Sequence, residues 1–343
     1  MNYYKLIQDD CLPILKTIKS ETFNLAILDP PYNIGIAEWD KIENYIEWLY
    51  QRLIEVQRVL KNNGTMWFFH NDFVALTKIQ KMIEDETDFI FKQFITIDKG
   101  LQSIVGRTSD NLRSYPTASE YLVFYTFEDL TGSQQLSEKY SRINPMAKYL
   151  KNEFERAKVT NREIAGLFPS KTGGFTGCVS NWLLGLNFPT KDQYNKMKEY
   201  LNKGQGFEYL RQDYEDLRQD YEDLRYTFNL QKGVTDVWSI NFYEDNIRWH
   251  PTAKPIKLIK RIIETSTNPN DLVLDPFLGS GTTMEACQQL GRNCLGIEKK
   301  EKYIKKIKKR CWGKQFLDRE VKYEFFQENT HLTEETDADN PAV

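Results

Sequence analysis

Residues 272–291 read LVLDPFLGSGTTMEACQQLG, and this stretch decides the fold class. The apolar run Leu272–Leu274 predicts a short buried strand, and the glycine-rich segment Asp275–Gly281 predicts a turn. The residues that follow predict a helix that ends at Gly291. Glycines in such a turn let a ligand approach the backbone closely. Strand, turn and helix together indicate a Rossmann-like unit of an α/β protein, with a ligand bound at the turn.

The acid after the next predicted strand indicates the kind of ligand. The strand Asn293–Ile297 leads into Glu298, which follows Gly281 by 17 residues. In Rossmann-like units an acid at this point, about 20 residues after the glycines, binds ribose hydroxyls. The dinucleotide fingerprint G-x-G-x-x-G is incomplete, because residues 282–284 read Thr-Thr-Met. The pattern therefore disfavours a nicotinamide cofactor.

A second strand end carries a different set of groups. The apolar run Phe23–Leu28 predicts a strand, and Asp29-Pro30-Pro31-Tyr32 follows it directly. In open α/β sheets this rim is where ligands bind. The prolines fix the backbone and remove two N–H donors, so that the carbonyls of Asp29 and Pro30 can face outward. Carboxylate, carbonyl and aromatic ring suit a planar group that bears an NH2. An ordinary Pro-Pro turn is the alternative for these four residues taken alone.

Together these motifs resemble the S-adenosylmethionine-dependent amino-methyltransferases of DNA. Asp29–Tyr32 resembles the family's D-P-P-Y motif, Asp275–Gly281 its D-P-F-x-G-S-G motif, and His250–Pro255 its H-P-T-x-K-P motif. The order, with the catalytic motif first and the cofactor motif last, is that of the β class. Gln8–Leu12 is similar to a further motif, although Asp9 stands where the family has Gly. The resemblance covers roughly residues 3–127 and 232–312.

The resemblance implies methylation of the N6 amino group of an adenine that has left the duplex. Asp29 and the carbonyl of Pro30 would accept the two N–H groups, with Pro31 holding the turn and Tyr32 stacking on the base. It also implies a site for S-adenosylmethionine, with Glu298 on the ribose, Asp10 near the adenine, and Thr252 and Lys254 near the methionine end. For Asp10, Thr252 and Lys254, a capping or surface role is the alternative. The residues expected to line the cofactor are Asp275, Pro276, Phe277, Gly279, Ser280, Gly281 and Thr282.

Other functions share parts of this pattern. Cytosine-N4 methyltransferases have the same architecture, but their motif more often begins with Ser, so Asp29 favours adenine. Enzymes that methylate glutamine in proteins usually carry Asn at that position, and RNA methylation uses related sites. A DNA-binding regulator without activity is a further alternative. The intact Asp29, Tyr32, Gly279 and Gly281 argue against it.

Composition limits the class of protein and its surroundings. The chain has 343 residues, a formal net charge of −3 and five cysteines. The cysteines form no C-x-x-C pair, so the sequence predicts neither a metal site nor a disulfide framework. An apolar leader and a membrane-length apolar run are both absent from the sequence, so a cytoplasmic protein without a membrane partner is expected. Because the net charge is slightly negative, the positive charge that binds DNA must be local.

The alternation of predicted strands and helices indicates a Rossmann-like, doubly wound, mostly parallel sheet with an inserted all-helical domain. The expected division is a catalytic half at 1–139, the insertion at 140–231, a cofactor-binding half at 232–317 and a tail at 318–343. The polar residues 330–343 are expected to be disordered. Among basic segments, residues 299–310 combine lysines with an apolar stripe and predict a helix with a solvated face.

The insertion resembles a helix-turn-helix DNA reader of the repressor type. Asn161–Phe168 would be the supporting helix, and Val179–Leu186 would lie in the major groove of duplex DNA. The candidates for base contacts are Thr176, Ser180 and Asn181. A helical spacer is the alternative, because the segment between the two helices is longer than the usual 3–4-residue turn.

A tandem repeat follows within the insertion. Aromatic residues at 207, 214 and 221 and leucines at 210, 217 and 224 have heptad spacing, which predicts one helix with an apolar seam. The seam would pack on the insertion itself, which we favour, or on a second copy of the chain in a homodimer. Besides DNA, the sequence also leaves a cognate restriction endonuclease open as a partner.

Overall fold

The protein is described by a computed structural model, whose strands form one sheet and whose helices lie around it. Described are residues 2–35, 40–104, 113–127, 145–170, 174–185, 187–203, 208–242, 244–245, 247, 249–312 and, as backbone, 321–327. The strands are β1 (Asn2–Gln8), β2 (Phe23–Leu28), β3 (Leu60–His70), β4 (Ile90–Asp98), β5 (Ser119–Thr126), β6 (Val237–Ser239), β7 (Leu272–Asp275), β8 (Asn293–Ile297) and β9 (Val321–Gln327).

The order of the described strands across the sheet is β6-β4-β5-β3-β2-β7-β8-β1-β9. Strand β5 runs antiparallel to β3 and β4, and the other pairings are parallel. The helices are α1 (Cys11–Thr17), α2 (Tyr45–Val59), α3 (Phe73–Glu86), α4 (Pro145–Arg156), α5 (Asn161–Ala165), α6 (Cys178–Leu183), α7 (Lys191–Leu201), α8 (Tyr214–Leu224), α9 (Ile256–Ser266), α10 (Thr282–Leu290) and α11 (Glu301–Trp312).

Helices cover both faces of this sheet. Leu258 of α9 and Ile304 of α11 belong to the core on one face. Leu53 of α2 and Ile79 of α3 belong to the core on the other face. A mostly parallel sheet buried on both sides is the doubly wound α/β architecture. The predicted fold class is confirmed.

Register places the two predicted ligand motifs side by side. Leu25 pairs with Val273, and Ala26 pairs with Leu274, in the parallel pairing of β2 and β7. The two strands therefore end at the same edge of the sheet. Because Asp29 follows β2 and Asp275 ends β7, two motifs that are distant in sequence form one rim.

The insertion has a core of its own. Leu150, Trp182, Met197 and Leu217, from α4, α6, α7 and α8, are buried together in it. Helices α5 and α7 each begin with a capping box, at Thr160 and Thr190. Residues 140–144 of the predicted insertion lie outside the described residues, and so does Leu186, the predicted end of the groove helix.

The helix predicted over all three repeat copies is wrong for the first copy. Helix α8 begins at Tyr214, and the carboxylate of Asp213 caps it by accepting a hydrogen bond from the Glu215 N–H at 2.7 Å. Before it, Leu210 has a φ of 51° and is fully buried. Its N–H donates to Glu153 Oε2 at 2.6 Å. This tertiary contact holds Leu210 in a left-handed conformation that a helix cannot continue through. Phe207 lies outside the described residues.

Further parts of the chain differ from the predicted organisation. Residues 226–231, predicted as the end of the insertion, contact the sheet domain: Tyr226 packs on Phe124 of β5 with ring centroids 5.6 Å apart, and the Asn229 N–H donates to the Thr265 carbonyl at 2.7 Å. Residues 321–327, predicted as part of the tail, form the edge strand β9 beside β1. The sequence reading also missed β1, α1 and β6, since polar residues interrupt their apolar patterns. Residues 330–343, where we predict disorder, are not among those described.

The predicted apolar stripe of α11 is confirmed, since Tyr303, Ile304, Ile307 and Cys311 are all buried.

None of the helices in the described segments is both long enough and apolar enough to cross a membrane.

Candidate active site

A cavity of about 340 Å³ lies at the rim where β2 and β7 end. Its volume falls within the range of small-molecule sites in proteins. The predicted catalytic and cofactor residues that line it are Asp10, Asp29, Pro30, Pro31, Tyr32, Thr252, Lys254, Asp275, Pro276, Phe277, Gly279, Ser280, Thr282 and Glu298. Gly281 begins α10 directly behind this wall. One rim of the sheet therefore brings together the motifs that the sequence identified separately.

The glycine-rich turn needs both of its glycines. Gly279 has a φ of 53° and Gly281 a φ of 77°, in the left-handed region. A Cβ on Gly279 would lie 3.0 Å from His250 Nε2, and one on Gly281 would lie 3.1 Å from a methyl carbon of Ile307. The turn is therefore shaped by its backbone and leaves no room for side chains on these two residues.

Two carboxylates flank this turn. Asp275 accepts a hydrogen bond from the Phe277 N–H at 2.9 Å. Glu298 accepts from the N–H groups of Gly279, at 2.9 Å, and Lys300, at 2.7 Å. Burial raises the pKa of Asp275 and the pKa of Glu298 to about 7 each, against the lowering effect of these hydrogen bonds. Glu298 thus fixes the turn and places a carboxylate on the cavity wall.

The other end of the cavity combines aromatic rings with Asp10. Trp48 lies 5.9 Å from Phe277 between ring centroids, and the Arg52 guanidinium lies 3.9 Å from the centroid of Trp48. Asp10 accepts from Arg52 at 2.8 Å and from Lys299 at 3.1 Å, and it also caps α1. The capping role considered for Asp10 is therefore real, and the same carboxylate also faces the cavity. Together the rings and the acid suit a planar, polar ring such as adenine.

Helix α11 supports the turn from behind. Arg310 donates to the Ser280 carbonyl at 2.9 Å and to Thr282 Oγ1 at 3.0 Å. It also forms an ion pair with Glu285 of α10, and both side chains are largely buried. A single guanidinium therefore joins the end of the turn to the first turn of α10.

The catalytic motif is part of a buried polar cluster. We call Asp29, Tyr32, Glu120 and Lys254 the carboxylate cluster. Lys254 Nζ donates to both Asp29 oxygens, each at 2.8 Å, and lies 3.2 Å from Glu120 Oε1. Tyr32 Oη lies 2.6 Å from Asp29 Oδ1 and 2.7 Å from Glu120 Oε1. Lys254, predicted to lie at the methionine end of the cofactor, is thus bound to Asp29, the predicted catalytic residue.

Neighbouring residues hold the cluster and its loop in place. The Tyr32 ring lies 4.8 Å from the His70 ring, so one side of the predicted stacking residue already has a partner. Asp40 accepts from the N–H groups of Asn33, at 2.7 Å, and Ile34, at 3.0 Å, directly after the motif.

Burial, with the charges of Lys254 and Lys302, lowers the pKa of His250 to about 4, so this residue of the cavity wall is neutral at pH 7.

The predicted base-contacting residues lie in the insertion, away from this cavity. Ser180 is exposed and Asn181 is half-buried on α6. Thr176 is half-buried, and its hydroxyl donates to the Phe168 carbonyl at 2.8 Å, which stabilises the segment between α5 and α6. Pro169 and Phe175 form an isolated β-bridge, which joins the two ends of that segment.

The sequence reading missed several residues of the site. Glu120 lies in β5 and Arg310 in α11, and no local sequence pattern marks either residue as part of the site. The same holds for Trp48, Arg52 and Asp40. The only sequence signal for a functional role of Glu120 is its position as the second residue of an otherwise apolar strand, because buried acids are rare.

Comparison with known proteins agrees with this geometry. Residues 23–309 match the model of a family described as DNA methylase, covering amino-methyltransferases of the N6 and N4 types. The chain belongs to this family. Membership confirms the prediction of a DNA methylase that uses S-adenosylmethionine as its cofactor.

No group of three or more His, Cys, Asp or Glu side chains in the described residues could hold a metal ion.

Individual relatives of the methylase are distant but cover most of it. The type II methyltransferase M1.MboII of Moraxella bovis is 26% identical over 306 residues, 88% of this chain and 93% of the relative. The DNA adenine methyltransferase YhdJ of Escherichia coli (strain K12) is 28% identical over 309 residues, 88% of this chain and 80% of the relative. The solved PvuII DNA methyltransferase, described as cytosine-N4-specific, has the same fold, with a TM-score of 0.54 at 16% identity, covering 94% of this chain and 89% of its own.

Proposed function

We propose that this DNA methylase transfers a methyl group from S-adenosylmethionine to the N6 amino group of a flipped-out adenine in duplex DNA. The observation that carries the proposal is the position of Asp29, on the rim of the cofactor cavity and followed by Pro30, Pro31 and Tyr32. One of the named relatives, YhdJ, is described as a DNA adenine methyltransferase, which supports the choice of base.

The cavity suits the proposed cofactor. The Trp48–Phe277 pair and Asp10 would hold its adenine, and Glu298 would hold its ribose. Thr252, which also lines the cavity, remains the candidate for its methionine end. When bound, the sulfonium supplies an already activated methyl group, so the protein contributes mainly positioning and electrostatics.

Asp29 has the hydrogen-bonding capacity that its role requires. Its Oδ1 is already engaged by the Tyr32 hydroxyl and by the Lys254 ammonium. Among the described residues, Oδ2 accepts only from Lys254. We assign the remaining lone pair of Oδ2 to one N–H of the target amine, and the carbonyl of Pro30 to the other. Both bonds would localise the amine lone pair, which is otherwise delocalised into the base.

Lys254 adjusts the charge of this acceptor. Burial raises the pKa of Asp29, and the neighbouring ammonium opposes that rise. Asp29 can therefore ionise although it lies in a buried cluster. Tyr32 would present to the base the side of its ring that His70 leaves free.

The insertion offers the local positive charge that the whole chain lacks. Residues 145–203 contain ten basic and five acidic residues, while the chain as a whole carries −3. Among the described ones, Lys196 and Arg162 lie over the rings of Phe168 and Phe175, beside the predicted reading helix. This charge supports duplex DNA as the partner and the insertion as the part that reads it, with Ser180, Asn181 and Thr176 as base-contact candidates.

The second candidate function is cytosine-N4 methylation. The fold of the PvuII enzyme favours it no less than adenine methylation, because fold does not distinguish the two bases. The acid at Asp29, where cytosine-N4 enzymes more often have Ser, is the residue-level argument for adenine.

A homodimer and a cytoplasmic location stay predictions. So does a cognate restriction endonuclease, which the type II methyltransferase among the relatives supports.

Two variants of Asp29 test the proposed role. Wild type, Asp29→Ala and Asp29→Asn are incubated with labelled S-adenosylmethionine and plasmid DNA. Both variants should lose at least about 100-fold in methylation, since they remove the anionic acceptor. Cofactor binding, measured by calorimetry, should persist. The exposed Asp85→Asn on α3 serves as control. Transfer near the wild-type rate by Asp29→Ala would refute the role.

A further inference from the structure

The hydroxyl of Tyr32 lies between two carboxylates. Its oxygen is 2.6 Å from Asp29 Oδ1 and 2.7 Å from Glu120 Oε1, and both distances are typical of short O–H···O hydrogen bonds. A phenol has one hydrogen, so it can donate to only one of these oxygens. The third neighbour, Lys254 Nζ at 3.1 Å, is itself a donor and cannot supply an acceptor.

Counting protons shows what the second contact requires. If both carboxylates were ionised, one of the two short O···O contacts would contain no hydrogen and would be repulsive. One additional proton removes the conflict: a protonated carboxyl donates to Tyr32, and Tyr32 donates to the other carboxylate. The proton also removes the net charge of −1 that two carboxylates and one ammonium would leave in a buried cluster.

The charged groups around the two carboxylates favour a position of the additional proton that is nearer to Asp29 than to Glu120. Asp29 faces Lys254, Tyr32 and Glu120, with Asp275 and Tyr45 further away. Glu120 faces Lys254 and Tyr32, with Lys99 and His70 beside it. Burial raises the pKa of Asp29 above its usual range. For Glu120 the charges of Lys254 and Lys99 outweigh burial and lower the pKa.

We propose that Asp29, Tyr32 and Glu120 share one bound proton in the free enzyme, and that Glu120 is a positioning residue that makes this possible. While the proton is bound, Asp29 is not a full acceptor for the target amine. The proton and the amine N–H therefore compete for the same carboxylate. Only this competition, and not the shared proton itself, rests on the proposed methylation.

Infrared spectroscopy of the free protein tests the shared proton without any substrate. A buried protonated carboxyl gives a C=O stretching band that shifts in heavy water. At neutral pH, wild type should show a component that is absent from both Asp29→Asn and Glu120→Gln. Asp275→Asn and Glu298→Gln control for the two carboxyls whose pKa is raised to about 7, and each should keep this component. A spectrum of Glu120→Gln with the same component as wild type would overturn the proposal.

The pH dependence of kcat/KM for DNA tests the competition. In wild type, kcat/KM should rise with pH as the shared proton leaves, because this parameter reports the free enzyme. In Glu120→Gln the amide can donate to Tyr32 and adds no negative charge, so the rise should occur about 1–2 pH units lower. A lower plateau at an unchanged pH would show a merely structural Glu120 and refute the role. If wild type does not methylate DNA, the proposed function fails while the infrared result still decides on the proton.

Discussion

At the scale of single residues, Lys254 compensates the half-buried carboxylate of Asp29 and the buried carboxylate of Glu120 at once. Its ammonium contacts Asp29 and Glu120, and it is itself almost fully buried. Replacing it with Met should raise the pKa of both acids, because burial then acts without an opposing charge. The rise of kcat/KM with pH should move to higher pH in Lys254→Met, the direction opposite to that in Glu120→Gln. The exposed Lys257→Met on α9 is the matched control. If kcat/KM had the same pH dependence in Lys254→Met as in wild type, this would contradict the assignment of Lys254 as the group that compensates Asp29 and Glu120.

Asp275 and Glu298 predict how stability depends on pH. Each has a pKa of about 7 in the folded protein, above the ordinary values of 3.8 and 4.5. The folded state therefore binds more protons than the unfolded state between about pH 4 and pH 7. Their contribution to stability is complete below pH 4 and is lost as the pH rises through 7, by up to about 1.4 kcal/mol per pH unit for each group.

Chemical denaturation of the cofactor-free protein from pH 5 to pH 8 measures this dependence. The double variant Asp275→Asn, Glu298→Gln should show a smaller loss of stability over that interval than wild type. Glu86→Gln, at an exposed position of α3, should behave as wild type. If the stability of the double variant fell with pH as steeply as that of wild type, groups other than Asp275 and Glu298 would cause the dependence.

At the scale of elements, the packing of α11 against α10 stabilises the glycine-rich turn Asp275–Gly281. Arg310 is the contact that joins them, through Ser280, Thr282 and Glu285. Arg310→Met should destabilise the protein by about 3–5 kcal/mol, since Glu285 is left buried without its partner. It should also weaken cofactor binding. Thermal unfolding and calorimetry measure the two effects.

The same helix provides a control for Arg310. Lys305 pairs with Glu301 on the exposed side of α11. Lys305→Met should change stability by less than about 1 kcal/mol, because exposed ion pairs contribute little. Equal effects of Lys305→Met and Arg310→Met would remove the argument for a specific support of the turn.

The heptad repeat shows how far an element can be predicted from its pattern. The spacing correctly predicts a helix over the second and third copies, with Leu217 facing a core. It fails for the first copy, because the buried contact of Leu210 with Glu153 is stronger than the local helical pattern. Such a contact joins residues far apart in sequence, so no local pattern reveals it.

Helix α8 yields a prediction about oligomeric state. Leu217→Ala should cost about 2–5 kcal/mol, since it leaves a cavity in the insertion's own core. The mass in light scattering should not change, because Leu217 packs within the chain. The exposed Gln219→Ala on the same helix should leave both quantities unchanged. A fall in mass caused by Leu217→Ala alone would show that the helix supports a dimer.

At the scale of the whole molecule, the chain topology explains why two motifs were enough to predict the fold. Each motif marks the end of a parallel strand, and parallel strands that end together form one rim. Asp29, Asp275 and Glu298 could therefore be expected close together. The partners of Lys254 could not, because Glu120 and Asp29 reach it from β5 and β2, and only the folded sheet brings them to one point. The edge strand β9 was missed for a related reason: its pairing with β1 joins the two ends of the chain.

The most direct test of the central claim is the identity of the methylated nucleoside. Unmethylated plasmid DNA is incubated with the wild-type enzyme and S-adenosylmethionine, digested to nucleosides, and examined by mass spectrometry, with Asp29→Asn as the inactive control. We expect N6-methyldeoxyadenosine from wild type and at least about 100-fold less of it from the variant. N4-methyldeoxycytidine in its place would contradict the assignment of adenine, and the absence of any methylated nucleoside would contradict the proposed function itself.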